Sequence, residues 1–280
     1  MTLKWDGHTH TRFCYHGNPA ELTEYVDRAV ALGFERYSVT EHPPLPDRWV
    51  RDEKLMAELA MPPEELPAYI EYALRTKDRY AGKIELAVGL EMDYLDGSEA
   101  FSDRLLEPYL DVLEDAVVSV HFLPGRDGMH CVDFTAEDFR ANLLSYYGTM
   151  DKAAEEYFDH IEKSIAWAAG LPMRKRIGHP LLIEKFSREL PPIDPALIRR
   201  RLERIARRLA ESGVGVDVNT AGLRVATCGK PYAPAWFVRE CLARGVEVVY
   251  GSDSHKPEQV GFGYDYFRQV IEGGASDEAD

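Results

Sequence analysis

Seven short runs rich in Val, Ile and Leu, separated by longer helical patterns, restrict this chain to a parallel β/α architecture. The runs fall at residues 3–7, 36–40, 85–90, 116–120, 174–178, 214–218 and 246–251. Several are almost continuous in apolar residues, as strands buried on both faces tend to be. The helical patterns occupy 19–32, 63–81, 101–113, 151–169, 194–211 and 233–243. The first opens with Pro19 and stops at Gly33, and later ones stop at Gly170, at Ser212-Gly213 and at Gly245, following the usual start and stop chemistry. A closed barrel and an open doubly wound sheet both satisfy this alternation. A chain of 280 residues can build either as one domain, here expected over 1–272 with a polar tail at 273–280.

What narrows the function is where the metal-type side chains fall. The first strand runs into His8-Thr9-His10, with His16 six residues on. The second runs into Glu41-His42, the third into Glu91, the fourth into His121, the fifth into His179 and the seventh into Asp253-Ser254-His255. Seven of the nine histidines thus lie at, or just after, the carboxyl end of a strand, the rim where parallel β/α folds build their active sites. One surface histidine means little, but seven aligned in this way predict convergence. His130 and His160 fall elsewhere and are read as ordinary loop and helix residues. The segments 43–62 and 122–135 both follow a strand and are expected to be irregular functional loops.

Imidazole nitrogens and carboxylate oxygens suit Zn, Fe or Mn. In His8-x-His10 both side chains point the same way on extended backbone and can grip one ion. Seven histidines with Glu91 and Asp253 are too many ligands for a single tetrahedral ion, so two to three ions are expected. The four cysteines are scattered without a C-x-x-C pair, which argues against a structural zinc site and for reduced thiols. Cys14 and Cys131 lie near the histidine clusters, where packing is the expected role. The formal net charge of −15 makes long nucleic acid a poor partner. No apolar run approaches the roughly 20 residues of a membrane span, and the first residues lack a signal peptide's apolar stretch, so a cytoplasmic location is expected.

These motifs resemble the PHP (polymerase and histidinol phosphatase) family of metal-dependent phosphoesterases. The resemblance rests on His8-x-His10 with His16, Thr40-Glu41-His42, Gly89-Leu90-Glu91, Val120-His121, Gly178-His179-Pro180 and Gly251-Ser252-Asp253-Ser254-His255. The tract from Asn219 to Arg224 looks like the monofunctional histidinol-phosphatase branch. The resemblance implies a distorted seven-stranded parallel β/α barrel with a trinuclear centre at the C-terminal rim of the strands. It implies one ion on His8, His10, Glu91 and Asp253, a second on Glu91, His121 and His179, and a third on His16, His42 and His255. It further implies a role in histidine biosynthesis, with L-histidinol phosphate hydrolysed to L-histidinol and phosphate.

Ions held in this way neutralise a phosphate and bring a bound water toward ionisation at neutral pH, so no protein nucleophile is required. Asp253, Glu91 and His255 are the expected catalytic residues. Arg224 is the first candidate for a phosphate clamp, followed by Arg12 and Arg48, because the forked guanidinium matches phosphate. Glu41 is expected to orient a ligand histidine from behind. The competing readings are another PHP phosphoesterase acting on nucleotide 3′ ends or general monoesters, an amidohydrolase-type enzyme, and a module using metals only to fold. The oligomeric state is open.

Overall fold

A computed structural model describes residues 3–273; the tail expected at 273–280 lies, beyond Gly273, outside the described residues. The seven runs become seven parallel strands: β1 (Trp5–Asp6), β2 (Arg36–Glu41), β3 (Glu85–Asp93), β4 (Asp115–Ser119), β7 (Arg174–Ile177), β8 (Gly215–Asn219) and β9 (Val248–Gly251). They lie side by side in chain order, interrupted only by a separate antiparallel hairpin, β5 (Phe122–Gly125) and β6 (Gly128–Cys131). The first and last strands also meet. Gly7 N donates to Tyr250 O at 2.8 Å, Asp253 N to His8 O at 2.8 Å and His10 N to Ser254 O at 2.9 Å. A parallel bridge joins Thr9 to Ser254. The sheet is therefore a closed barrel rather than an open doubly wound sheet.

Alternation along the strands separates two environments. Tyr37 and Val39 on β2, and Leu86, Val88 and Leu90 on β3, pack outward into a core shared with Tyr69, Ala73 and Ile70 of the helix Leu66–Tyr80. The intervening residues point into the barrel and are largely polar or small. At the barrel floor Arg176, 1% exposed, is paired with Asp115: Nη1 donates to Oδ1 at 2.6 Å and Nη2 to Oδ2 at 3.1 Å, with Nη2 also on Gly7 O. Ser38 Oγ donates to Asp115 Oδ2 at 2.5 Å, and Trp5 Nε1 donates to Ser38 Oγ at 2.8 Å.

Four segments depart from expectation. The loop 43–62 contains a helix, Glu53–Leu59, capped by Asp52, whose carboxylate accepts from Lys54 N and Leu55 N at 2.9 and 3.1 Å. The segment 122–135 holds the β5–β6 hairpin. Helical turns span 136–147, including a π-type stretch at Phe139–Leu144, and a last helix runs over Tyr264–Ile271. The first two segments join each other through a bridge between Val50 and Met129. They share a small apolar cluster of their own, built on Leu45, Val50, Leu55, Leu95, Phe122 and Cys131. Together they form a cap beside the carboxyl ends of the strands. Among the described residues no helix is long and apolar enough to cross a membrane.

Candidate metal centre

Every residue expected as a ligand lies at the carboxyl end of the barrel, arranged around Glu91. This carboxylate is 1% exposed because β3 runs longer than its neighbours and carries it to the mouth. Its Oε2 lies 3.1 Å from His8 Nε2, 3.3 Å from His10 Nε2 and 3.4 Å from His42 Nδ1. Its Oε1 lies 2.9 Å from His179 Nε2 and 3.6 Å from His121 Nε2, and accepts from Ser119 Oγ at 2.6 Å. Asp253 completes the ring, with Oδ1 3.3 Å from His10 Nε2 and 3.9 Å from His8 Nε2. Gly251 permits this closeness, since a Cβ there would collide with Asp217 Oδ1 and lie 2.9 Å from His8 Cβ. His179 and Asp253 both take positive φ, 24° and 52°, a strained conformation that non-glycine residues keep where function requires it.

The distal ring nitrogens show which way the lone pairs face. His8 Nδ1 is bound to Asp217 Oδ2 at 2.7 Å, His10 Nδ1 to Glu41 Oε1 at 3.1 Å and His121 Nδ1 to Asp93 Oδ1 at 2.7 Å. His16 Nδ1 is held by Glu58 O at 2.9 Å and His255 Nδ1 by Asp253 O at 3.1 Å. Each partner is an acceptor, so in the neutral ring the proton sits on Nδ1 and the Nε2 lone pair points inward. Those lone pairs face one another in pairs: His121 Nε2 and His179 Nε2 are 3.2 Å apart, as are His16 Nε2 and His255 Nε2. Two acceptors at that distance need a cation between them. His8 Nε2 and His10 Nε2 are buried without a hydrogen-bond partner, for the same reason. The donor set therefore fits metal ions, and the five distal contacts are the supports that metal-bound histidines use.

Electrostatics agree. Burial works against charge on His8 and His121, yet carboxylates outweigh it: Glu91, Asp217 and Asp253 push His8 up to about 10, and Asp93 and Glu91 push His121 up to about 9. Burial raises the Glu91 carboxyl, but His8, His42 and His121 hold it well below its usual range. His42 and His255 are driven well below the ordinary imidazole value by burial and neighbouring histidines. The protein without metal thus keeps protons on its deepest imidazoles, and entering ions displace them.

Groups of potential donor atoms, mutually within 4.8 Å, assemble as His8, His10 and Glu91; as Glu91, His121 and His179; as His8, His179 and Asp253; as His42, Asp93 and His121; and as His10, Cys14, His42 and His255. His16 joins the last group's neighbourhood through His255. The ligands share a cavity of about 450 Å³ with Arg224, Lys185, Lys256, Asp133, Phe134 and the cap residues Leu55, Glu58 and Leu59. Arg224 lies where a clamp is needed, its guanidinium anchored on Ser252 O at 2.7 Å and Asp253 O at 2.5 Å. Arg12 and Arg48 do not. Arg12 is exposed and paired with Glu21 at 2.5 Å over the Tyr72 ring, and Arg48 is an exposed turn residue outside the cavity lining. Both depart from expectation because short-range sequence distance from His8 and His42 does not fix direction. His130 and His160 stay away from the centre, on Arg126 O and Glu156 O.

Sequence reasoning missed Asp93, Asp217 and Lys185. The two aspartates had a signal: each lies two residues along a strand from a mouth-facing residue, Glu91 or Asn219, and so shares its face. Asp217→Asn is expected to weaken metal binding about 10–100-fold, the usual cost of losing a histidine's outer partner. Titration against a chelator measures this, and unchanged affinity would show that the His8 ring needs no such support.

Comparison with known proteins agrees with this geometry. The PHP domain profile matches residues 6–221. The histidinol-phosphatase of Bacillus subtilis is 34% identical over 264 residues, covering 94% of this chain and 98% of its own. A protein from Listeria monocytogenes, solved as a candidate histidinol phosphatase, superposes with a TM-score of 0.89 at 32% identity, covering 94% of this chain and all of that one. A histidinol phosphate phosphatase of Lactococcus lactis, solved with zinc, L-histidinol and phosphate, superposes with a TM-score of 0.72 over 98% of this chain and 94% of its own. At 18% identity that likeness speaks for the fold. A barrel of seven parallel strands with His, Glu and Asp ligands on successive strand ends, matched over most of its length by one profile, places this chain in the PHP domain family.

Proposed function

We propose that this chain is a metal-dependent phosphomonoesterase that hydrolyses L-histidinol phosphate to L-histidinol and phosphate. The observation that carries the reading is Glu91 at the focus of five imidazoles, inside a cavity that also holds Arg224, Lys185 and Lys256. The full-length relationship to the Bacillus subtilis histidinol-phosphatase supports the substrate. His8, His10, Glu91 and Asp253 would hold one ion, Glu91, His121 and His179 a second, and His42 and His255 with His16 a third, so two to three ions of Zn, Fe or Mn are expected. When bound, such ions neutralise phosphate charge and lower the pKa of water toward neutrality.

The remaining work belongs to the protein. Arg224 is fixed on two backbone carbonyls, so its guanidinium is already oriented when a phosphate arrives. Lys185, held by Asp133 at 3.0 Å, and Lys256 add positive charge to the same wall. Asp253 Oδ2 accepts from Asn219 Nδ2 at 3.1 Å, which orients a cavity-lining carboxylate that can hold the proton delivered to the leaving alkoxide. Leu55, Leu59 and Phe134 form an apolar wall for the rest of the substrate and exclude water. The −15 charge and the enclosed mouth favour a small monoester over a polynucleotide.

The test is a panel of histidinol phosphate, a simple aryl phosphate, a dinucleotide and an amide, each assayed before and after chelation. Histidinol phosphate is expected to be turned over fastest, and only in the metal-loaded protein. Full turnover in a chelated sample, or preference for the dinucleotide or amide, would overturn the reading.

A further inference from the structure

One thiol is built into the imidazole cluster. Cys14 is 5% exposed, and its sulfur lies with one nitrogen each of His10, His42 and His255 in a set whose members are all within 4.8 Å of one another. Two consecutive turns bring it there: Cys14 N donates to Thr11 O at 3.1 Å and Gly17 N to Cys14 O at 2.9 Å, folding the chain back across the strand ends. Gly17 lets the turns pack, since a Cβ there would lie 3.2 Å from Cys14 Cβ and 3.4 Å from its sulfur. The His10 ring stacks on His255 and His42, with centroids 4.0 and 4.4 Å away, so the sulfur faces a wall of nitrogen donors. His10 Nε2 in that wall is buried without a hydrogen-bond partner. Among the described residues, Cys131, Cys228 and Cys241 belong to no such donor set.

We propose that Cys14 Sγ is a ligand of the ion held by His42 and His255, which gives that one position a soft donor and a preference for zinc over manganese. The inference rests on the reading that the centre holds metals. On binding, the thiol gives its proton to solvent and the sulfur coordinates as thiolate. A sulfur among imidazoles favours Zn²⁺, whereas the carboxylate-rich positions around Glu91 accept Mn²⁺ or Fe²⁺ as well. The centre is then chemically asymmetric, with one thiophilic position and others less selective.

Cobalt reports both facts at once. Chelated protein titrated with Co²⁺ is expected to show visible ligand-field bands and, for one equivalent, a near-ultraviolet thiolate-to-cobalt charge-transfer band. That band should vanish in Cys14→Ser, checked for fold by circular dichroism. It should persist when Cys131, Cys228 and Cys241 are all changed to Ser, which keeps the test open if Cys14→Ser does not fold. In Zn²⁺/Mn²⁺ competition, Cys14→Ser should lower the zinc preference of that one equivalent by at least the roughly 10–100-fold that loss of an outer partner costs. Fully loaded protein without the charge-transfer band, or a band surviving in Cys14→Ser, would overturn the assignment while leaving the metal reading intact. Absence of all cobalt bands would overturn both.

Discussion

Glu91→Gln lowers histidinol-phosphate turnover by about 10³-fold or more and costs the protein bound metal, while circular dichroism stays that of a folded barrel. The size follows from what the side chain touches. One oxygen faces His8, His10 and His42 between 3.1 and 3.4 Å, and the other faces His179 at 2.9 Å and His121 at 3.6 Å. No other carboxylate among the described residues sits between so many imidazoles. Gln has the same shape but replaces an anionic oxygen by an NH₂ group that can only donate, pointed at nitrogens meant to present lone pairs. A multinuclear clamp contributes several kcal/mol to stabilising phosphoryl transfer, and each 1.36 kcal/mol is tenfold in rate. Metal analysis and kcat are measured on the same sample. A variant with full metal content and undiminished kcat would remove Glu91 from the centre.

The second large effect concerns stability. Arg176→Ala is expected to destabilise the protein by about 3–5 kcal/mol, the usual result of removing one partner from a buried ion pair. Asp115, 1% exposed, would lose both guanidinium contacts and keep only the Ser38 hydroxyl, and Gly7 O would lose its donor. For a chain of this size that corresponds to a fall in Tm of about 10 °C. The double variant Arg176→Met with Asp115→Leu is expected to recover most of the loss, because a buried pair is expensive mainly when broken. Thermal unfolding with metal present separates the two. A single variant as stable as the parent, or a double variant no better than the single, would show that the floor pair is not what closes the base of the barrel.

How much of this was legible beforehand differs between elements. The strands were readable because buried parallel strands are apolar on both sides of each inward residue, and their order follows from chain order once the sheet is parallel. The ligands were readable because parallel strands put all their carboxyl ends on one rim, so His8 and His255 meet although 247 positions separate them. Arg176 was not readable as interior, because one arginine between Lys175 and Ile177 looks like an edge residue until the partner across the barrel, Asp115, is known. The helix Glu53–Leu59 escaped because the Pro residues around it suggested irregular chain, while the cap's stability comes from contacts with the hairpin 70 residues away. Arg224 was picked by position and Arg12 by proximity to a motif. Only the first has backbone acceptors to hold its fork toward the cavity.

The meeting of the first and last strands has a consequence for the order in which the molecule comes together. Backbone bonds from Gly7, His10 and Asp253 close the barrel within two residues of the side chains that converge on Glu91. Ions lodged there act as a clasp across the seam, joining the beginning of the chain to its end through bonds that no partly made barrel could offer. A nascent chain missing β9 lacks Asp253 and His255 and has no complete pocket for the ions. Metal loading therefore comes last, and the loaded centre is a certificate that the whole circumference has been assembled.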